Sequence, residues 1–583
     1  MSERGRSGST VVAAAILLSR VAGLVREQAL YAAFGLSGVA DAFRAAMRIP
    51  NLLQNLLGEG ALSASFIPVY ARLVAEGDEE DASRLAGAVA SLLALLTSVL
   101  VLLGVLLAGP VVSLLTDFEG DRRWFGVQDA VAAAGGLSVD PNRVDRYQLT
   151  VELTRITTIG LGFLVLSAWC LGVLNSHRRF FLSYVAPVVW NITQIAAVVV
   201  LVTLGWGLTD LAVGVAWAVV IGSVAQFTVQ LPEVRRLAPG LRPNVVGSDE
   251  LRQVLRRFGP AVGARGVVQL SSYIDTVLAT FLVSGALAAF TLALPLYLLP
   301  ISVFGFSVAV TELTEMSRSS HDTGAVYHRL TTGLRRTLLA VGFVSAAYLT
   351  AGGPIVGALY TWLPAAIGRG STSPDDTFIL AVVLGAFAIG LPASIEARVT
   401  QNTLYALGDV RGPARIAVIR LVVTAVASAV LMLQFDWLFV RDGVLHGLDT
   451  LPHLPPWERV PEAIRTSPEE PPHLGAVGLA LGSSLASWTE WVQLRHRLGR
   501  RLGRTVRSGW MIHVTVAAVA CGAVMTLVQV VLGFVPAPLD TPLVLGAGLG
   551  TYVAILRLLG IPGGRRRGGQ RAVPARPASE PAG

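Results

Sequence analysis

Lysine is absent from this chain, so all 46 of its basic residues are arginines. Charge of either sign is scarce as well: 14% of the 583 residues are charged, against about 25% in a soluble globular protein. A water-exposed surface on a chain of this length needs more. Cysteine is nearly missing. Cys170 and Cys521 both fall in apolar runs, with no CxxC spacing and no histidine at metal-ligand spacing, which excludes a disulfide framework and a zinc site. No small-residue cleavage pattern follows the apolar stretch Val11 to Leu18, and Arg20 and Arg26 come too soon after it for a secretory leader. An uncleaved first helix is expected.

Apolar residues are abundant. Residues of the AVILMFWYC set make up 53% of the chain and the mean hydropathy is +0.62. Runs such as 86–116, 181–205, 376–395 and 511–534 are each long enough to cross a hydrocarbon core of roughly 30 Å as helices. The fold class is therefore an all-α polytopic membrane protein. Apolar runs separated by Gly, Pro or charge give about fourteen spans. They fall near 10–35, 37–71, 86–116, 150–175, 181–205, 209–230, 257–283, 286–316, 334–361, 376–402, 413–438, 474–494, 511–534 and 541–560. The expected organisation is two six-helix lobes around a central cavity, 1–230 and 231–494, then two C-terminal helices in 495–562 and a disordered cytoplasmic tail, 563–583.

Arginine-rich clusters fall on one set of connections: Arg4 and Arg6, Arg178 and Arg179, Arg235 to Arg257, Arg329 to Arg336, Arg495 to Arg507, and Arg565 to Arg567. The other set, chiefly 117–149 and 439–473, has its arginines offset by acids such as Asp117, Asp129, Asp442 and Glu458. The positive-inside rule is met along the chain with both termini cytoplasmic and an even number of spans. The net charge of +8 and pI near 9.9 are thereby read as topology signals and attraction to anionic lipid, not as a nucleic-acid footprint.

Near the N-terminus the apolar runs carry charge. Asp41, Arg44, Arg48, Asn51, Asn55 and Glu59 are spaced by 3, 4, 3, 4 and 4 residues, which puts them on one face of a helix. Pro50 lies within that helix and is expected to kink it. A lipid-facing charge costs at least about 2.5–3.5 kcal/mol near the bilayer centre, so the stripe should line a bundle interior or a wet cavity. Internal ion pairs are one reading of it, Asp41 with Arg44 or Glu59 with a neighbour. The other is an anion site, since the arginines, joined by Arg20 and Arg26 of the first span, outnumber the acids. Arginine suits phosphate because its planar fork donates two hydrogen bonds at once.

A weak internal repeat points to transport. LSRVAGLVREQALYAAFG from Leu18 returns as LSSYIDTVLATFLVSGA from Leu270, and Pro50 returns as Pro300, both about 250 residues on. Lobes of six helices, an even number, would be related by an axis along the membrane normal.

SRVAGLVRE (Ser19 to Glu27), FGLSGVADAF (Phe34 to Phe43) and RIPNLLQNLLGEGALSASFIPVY (Arg48 to Tyr70) together resemble the signature of the MurJ/MviN lipid II flippases of the multidrug/oligosaccharidyl-lipid/polysaccharide superfamily. ELTRI from Glu152, LGVLNSHRRFFLSYVAPVVWNI from Leu171 and YALGDVRGPARIAVIRLVV from Tyr405 extend the likeness over the first 430 residues or so. The resemblance implies movement of undecaprenyl-pyrophosphoryl disaccharide-pentapeptide (lipid II) from the cytoplasmic to the outer leaflet of the bacterial inner membrane by alternating access. It implies a cationic cavity for the pyrophosphate, with the polyprenyl tail left in lipid. It maps the family's cavity residues onto Arg20, Arg26, Glu27 and Asp41. The full candidate set is these with Arg44, Arg48, Asn55, Glu59 and, in the second lobe, Arg265. Lipid II, membrane lipids and cell-wall synthesis proteins are the expected partners, with no cofactor and no nucleic acid.

The chain departs from the family in three places. Glu27 stands where an Asp is usual, Gln54 and Asn55 stand where many members are basic, and Pro295 stands where an arginine is expected in the eighth span. A family cation site has Asp275 for one ligand, but only Thr424 and Ser428, beside Arg420, where its others would be, so no metal is expected. An exporter of cations should have an acidic cavity. An enzyme acting on a polyprenyl phosphate would need clustered carboxylates or histidines, and the eight histidines are scattered. The Pro-rich segment 451–472 is compatible with a scaffold of the cell-wall machinery, but is read as a flexible connection.

Overall fold

The computed structural model describes residues 3–118, 120, 123, 144–242, 248–306, 323–360, 373–409, 411–453, 455–467, 470–503, 509–532 and 537–560. The expected tail 563–583, much of the connection 117–149, and the side chains of Glu59 and Arg265 lie outside the described residues.

The chain folds as a succession of long helices: α1 (Glu3–Phe34), α2 (Gly38–Asn55), α3 (Ala61–Glu76), α4 (Glu79–Leu106), α5 (Ala108–Leu115), α6 (Arg146–Ser176), α7 (Phe180–Thr203) and α8 (Leu208–Leu237). After these come α9 (Asp249–Ala279), α10 (Ala286–Pro300), α11 (Thr323–Thr350), α12 (Gly352–Tyr360), α13 (Pro374–Ala406) and α14 (Arg411–Phe435). A one-turn helix α15 (Glu462–Arg465) precedes α16 (Gly475–Leu502), α17 (Gly509–Val531) and α18 (Ala537–Leu558). Most boundaries lie within a few residues of the apolar runs.

Among the described residues, eight helices are long and apolar enough to cross a bilayer, nine if the bent pair α11 and α12 counts as one span. The expectation of about fourteen is not reached by that measure. Helices α9 and α16 carry several charges each and α10 is only 15 residues long, so length and composition alone do not qualify them; in α1 the side chains before Leu18 lie outside the described residues.

Burial follows from having lipid as the outer solvent. Helix α6 is 72% buried along its apolar stretch, whereas the more apolar α4 is 17% buried and faces outward. Small residues let the backbones close. A methyl on Gly160 of α6 would come within 3.0 Å of Ser223 Oγ on α8. Ser167 Oγ, also on α6, accepts from Gln226 Nε2 (2.8 Å) and Gln230 Nε2 of α8, so these buried amides are satisfied between helices. Helices α14 and α16 meet in the same way, with Gly478 and Gly482 against the α14 backbone. Cys170 and Cys521 are free and fully buried.

Two breaks were not legible. The expected single span 37–71 is α2 and α3 joined by a π-helical turn, Leu56–Gly60, and helix α2 continues through Pro50. The kink sits at Gly58 (φ −81°, ψ −116°), where a methyl would approach Ala168 Cβ to 3.2 Å. The expected span 334–361 bends by 80° between α11 and α12.

The segment 439–473 is folded among its described residues. A hairpin of β1 (Phe439–Arg441) and β2 (Val444–His446) pairs antiparallel. Val440 N donates to Pro472 O (3.1 Å), Gln434 Nε2 to His453 O (2.9 Å), and Arg459 and Arg465 reach Asp117 at 2.7 and 3.2 Å. It is thus tied down at several points, against the expectation of a flexible connection.

Candidate functional site: an arginine-lined cavity

Helix α2 starts at Ser37, whose hydroxyl accepts from Ala40 N (3.3 Å) and donates to Phe34 O (2.7 Å). This cap sets the rotation of the helix, and with it the direction of the polar stripe. Arg44, Arg48 and Asn51 face a cavity of about 220 Å³, together with Arg26, Glu27 and Leu30 of α1. Trp190 and Gln194 of α7 and Thr291, Leu294, Pro295 and Leu298 of α10 close it.

Glu27 is the hub. Its Oε1 accepts from Arg26 Nη2 and its Oε2 from Arg44 Nη1 at 3.1 Å. Three guanidiniums, Arg26, Arg44 and Arg48, face this one carboxylate, so the lining carries +3 − 1 = +2. The Arg26 guanidinium lies 4.8 Å from the Trp190 ring centroid, and its buried Nε has no hydrogen-bond partner among the described residues. Arg48 lies 5.9 Å from the Tyr273 ring centroid, and the Tyr273 hydroxyl donates to the Arg48 carbonyl (2.7 Å). No carboxylate pairs with Arg48 among the described residues. A preorganised cationic pocket of this kind can take an anion with several oxygens.

The other candidates lie elsewhere. Arg20 and Asn55 are exposed and do not line this cavity. Asp275 of α9 lies in the fields of Arg420 and Arg48, and its Oδ1 has no partner among the described residues. Arg420 is itself held by Glu490 at 2.8 Å. No group of three or more His, Cys, Asp or Glu that could hold a metal ion occurs among the described residues.

Asp41 is on the stripe but outside the cavity. It is 1% exposed, and its two carboxylate oxygens accept from Gly285 N (2.7 Å) and Ala288 N (2.8 Å) at the start of α10. Arg146 Nη1 lies 3.7 Å away. A carboxylate from α2 therefore caps a helix more than 240 residues on in sequence. Gly285 has φ +91°, and a methyl there would strike the Leu36 carbonyl. Nearby, Asp436 accepts from Val283 N (3.3 Å), Ser284 N donates to Arg465 O (3.2 Å) and Asp117 N donates to Thr280 Oγ1 (3.0 Å). The α9–α10 turn is thus gripped by α2, by the end of α14 and by the folded segment 439–473.

Trp190, Gln194 and Arg146 were missed by sequence reading. Their roles depend on which helix packs beside α1 and α2, and no spacing within one helix carries that.

Three comparisons bear on what this geometry belongs to. The family profile described as Lipid II flippase MurJ matches residues 30–439. A Burkholderia cenocepacia protein named lipid II flippase MurJ is 32% identical over 424 residues, 71% of this chain and 76% of its own. A Rickettsia prowazekii protein named probable lipid II flippase MurJ is 26% identical over 83% of this chain and 81% of its own. A solved structure titled lipid II flippase MurJ, inward closed conformation, superposes with a TM-score of 0.66 at 19% identity, covering 94% of this chain and 98% of the other. An inward-facing multidrug resistance MATE family transporter of the MOP superfamily superposes at 0.56 with 15% identity, covering 85% and 98%. These two likenesses concern the fold. By the profile match and the Burkholderia relative, the chain belongs to the lipid II flippase MurJ family.

Proposed function

We propose that this protein moves lipid II from the inner to the outer leaflet of the bacterial inner membrane by alternating access, holding the pyrophosphate between Arg26, Arg44 and Arg48. The observation that carries the reading is the +2 cavity around Glu27, in which one carboxylate orients two guanidiniums while a third, Arg48, makes no ion pair among the described residues. Arginine forks match pyrophosphate oxygens, and a cation substrate would be repelled.

The lobes 1–230 and 231–494 then rock about the cavity, with both termini in the cytoplasm. Asp41 of α2, which caps the start of α10, together with the contacts of Asp436, Arg465 and Asp117, holds the outer end shut in this state. An apolar groove of about 470 Å³ between α11, α16 and α17 suits the polyprenyl tail, lined by Leu338, Leu349, Val514 and Val519. Gly342 and Gly522 also line it, packed so closely that a methyl at either would meet Val514 Cγ1 and Tyr552, or Thr350 Cγ2.

The headgroup sites are one-sided. Helix α10 presents Thr291, Leu294, Pro295 and Leu298 to the cavity, none of them charged. This observation favours, as the second reading, a different lipid-linked glycan with the same pyrophosphate. The test is to deplete the resident flippase in a bacterial host, express this protein or its Arg26→Ala variant, and measure lipid II on the outer leaflet. Wild type should restore exposure and the variant should not. A membrane-inserted wild type that exposes no lipid II would turn the assignment to the other glycan.

A further inference from the structure

A second basic pocket lies away from the cavity, at the arginine-rich end of the bundle. It encloses about 380 Å³ and is lined by Ile416 of α14 and by Gln493, His496, Arg497, Arg500 and Arg501 of α16. Asp409, just before α14, builds it. Its Oδ1 accepts from Gly412 N (3.0 Å) and so caps α14. The same carboxylate accepts from Arg497 Nε (2.6 Å) and Nη2 (3.0 Å), and Arg501 Nε stands 3.7 Å away. A methyl on Gly412 would overlap the Arg497 guanidinium, so a larger residue there would push this side chain out of its present place.

Asp409 neutralises one of three arginines, leaving +3 − 1 = +2 before His496 is counted. Arg500 and His496 are exposed and have no ion pair or hydrogen-bond partner among the described residues. Toward the membrane from this pocket, α14 exposes Val418 (59%), Ile419, Val422 and Val426, and α16 exposes Val492. A cationic pocket at the end of a bare apolar face has the shape of an amphiphile with an anionic head.

We infer that this pocket between α14 and α16 binds the phosphate of an anionic membrane phospholipid, whose acyl chains lie along the exposed valine and isoleucine face of α14. Arg497, fixed by Asp409, frames the site. Arg500 and His496 supply the free donors. The reading stands whatever the protein transports, because none of these residues lines the cavity.

The full-length protein, released from detergent in native mass spectrometry, would be titrated with phosphatidylglycerol and with phosphatidylcholine. Wild type should retain one tightly held phosphatidylglycerol. Arg500→Gln should weaken that retention about fivefold, the effect of one cation near a lipid surface, and His496→Gln should add to it. Phosphatidylcholine retention should not change. Arg256→Gln, which removes an exposed charge on α9, is the control for a general basic surface. Equal losses in Arg256→Gln and Arg500→Gln, or no loss in Arg500→Gln, would overturn the site. Inorganic phosphate separates the sources: if it raises the melting temperature of wild type but not of Arg500→Gln while phosphatidylglycerol retention is alike in both, the pocket takes a soluble anion and the lipid reading is wrong.

Discussion

Glu27 does for this cavity what a counter-ion does in solution, but at a fixed place. It holds Arg26 and Arg44 in register, and Arg48, four residues past Arg44, projects one turn further along the same face with no carboxylate of its own among the described residues. Removing a charge-assisted hydrogen bond costs about 1.5–3 kcal/mol. Arg48→Ala should therefore weaken lipid II binding by roughly ten- to a hundredfold, read as a dissociation constant in detergent, and leave the melting temperature nearly unchanged. If binding is unaltered, the third guanidinium is not part of the anion site.

At the same scale, Asp409 gives a pH dependence. Hydrogen bonds from the Arg497 guanidinium hold its carboxyl below the ordinary 3.8. A depressed folded-state value means that the stabilisation is present above 3.8 and is lost as pH falls through the lower, folded-state value. Asp409→Asn should lower the thermal midpoint at pH 7. The gap from wild type should close on acidification below about 4, and a gap that persists unchanged there would mean the carboxylate charge is not what ties α14 to α16.

Among elements, the junction of α2 with the start of α10 has the most to lose. Losing a helix cap costs about 0.5–2 kcal/mol, and one to two kcal/mol changes an opening equilibrium by a factor of about 5–30. Asp41→Ala should therefore raise the rate at which Ser284→Cys is labelled by a membrane-impermeant maleimide by about that factor. An unchanged rate would mean that Asp41 does not hold the outer end closed.

The stripe Asp41, Arg44, Arg48, Asn51, Asn55 was legible because 3- and 4-residue spacing marks one helix face whatever surrounds it. What each member does was not legible. Asp41 meets a neighbouring helix start, Arg44 and Arg48 meet open space, and Asn55 is exposed, and these differences are set by α1, α7 and α10 rather than by α2. Helix positions came through well, since Gly, Pro and Arg punctuate the apolar runs. The π-helical turn at Leu56–Gly60 and the 80° bend after Thr350 did not: glycines mark both, Gly58 and Gly60 at the first and Gly352 and Gly353 at the second, but a glycine permits a break without requiring one. The folded segment 439–473 was hidden by its prolines, which read as a linker while its ties run to Asp117 and Gln434.

For the molecule as a whole, headgroup and tail would be held in different places, the cavity between α1 and α2 and the groove beside α17. The two can be separated. Gly522→Leu fills the groove where a methyl already meets Thr350, so it should slow flipping of lipid II with a full polyprenyl chain by tenfold or so, as overpacking of about 1–3 kcal/mol allows, and spare binding of a short-chain analogue. Equal loss with both substrates would show that the groove does not serve the tail.

The two buried thiols have a practical consequence for anyone who wants to watch the cycle. With Cys170 and Cys521 sealed in the helix packing and no lysine side chain anywhere, the native protein is nearly silent to thiol- and amine-directed reagents. A single cysteine placed on its surface would report alone, so spin labels or fluorophores can be attached pair by pair without first stripping the wild-type chain of its own reactive groups.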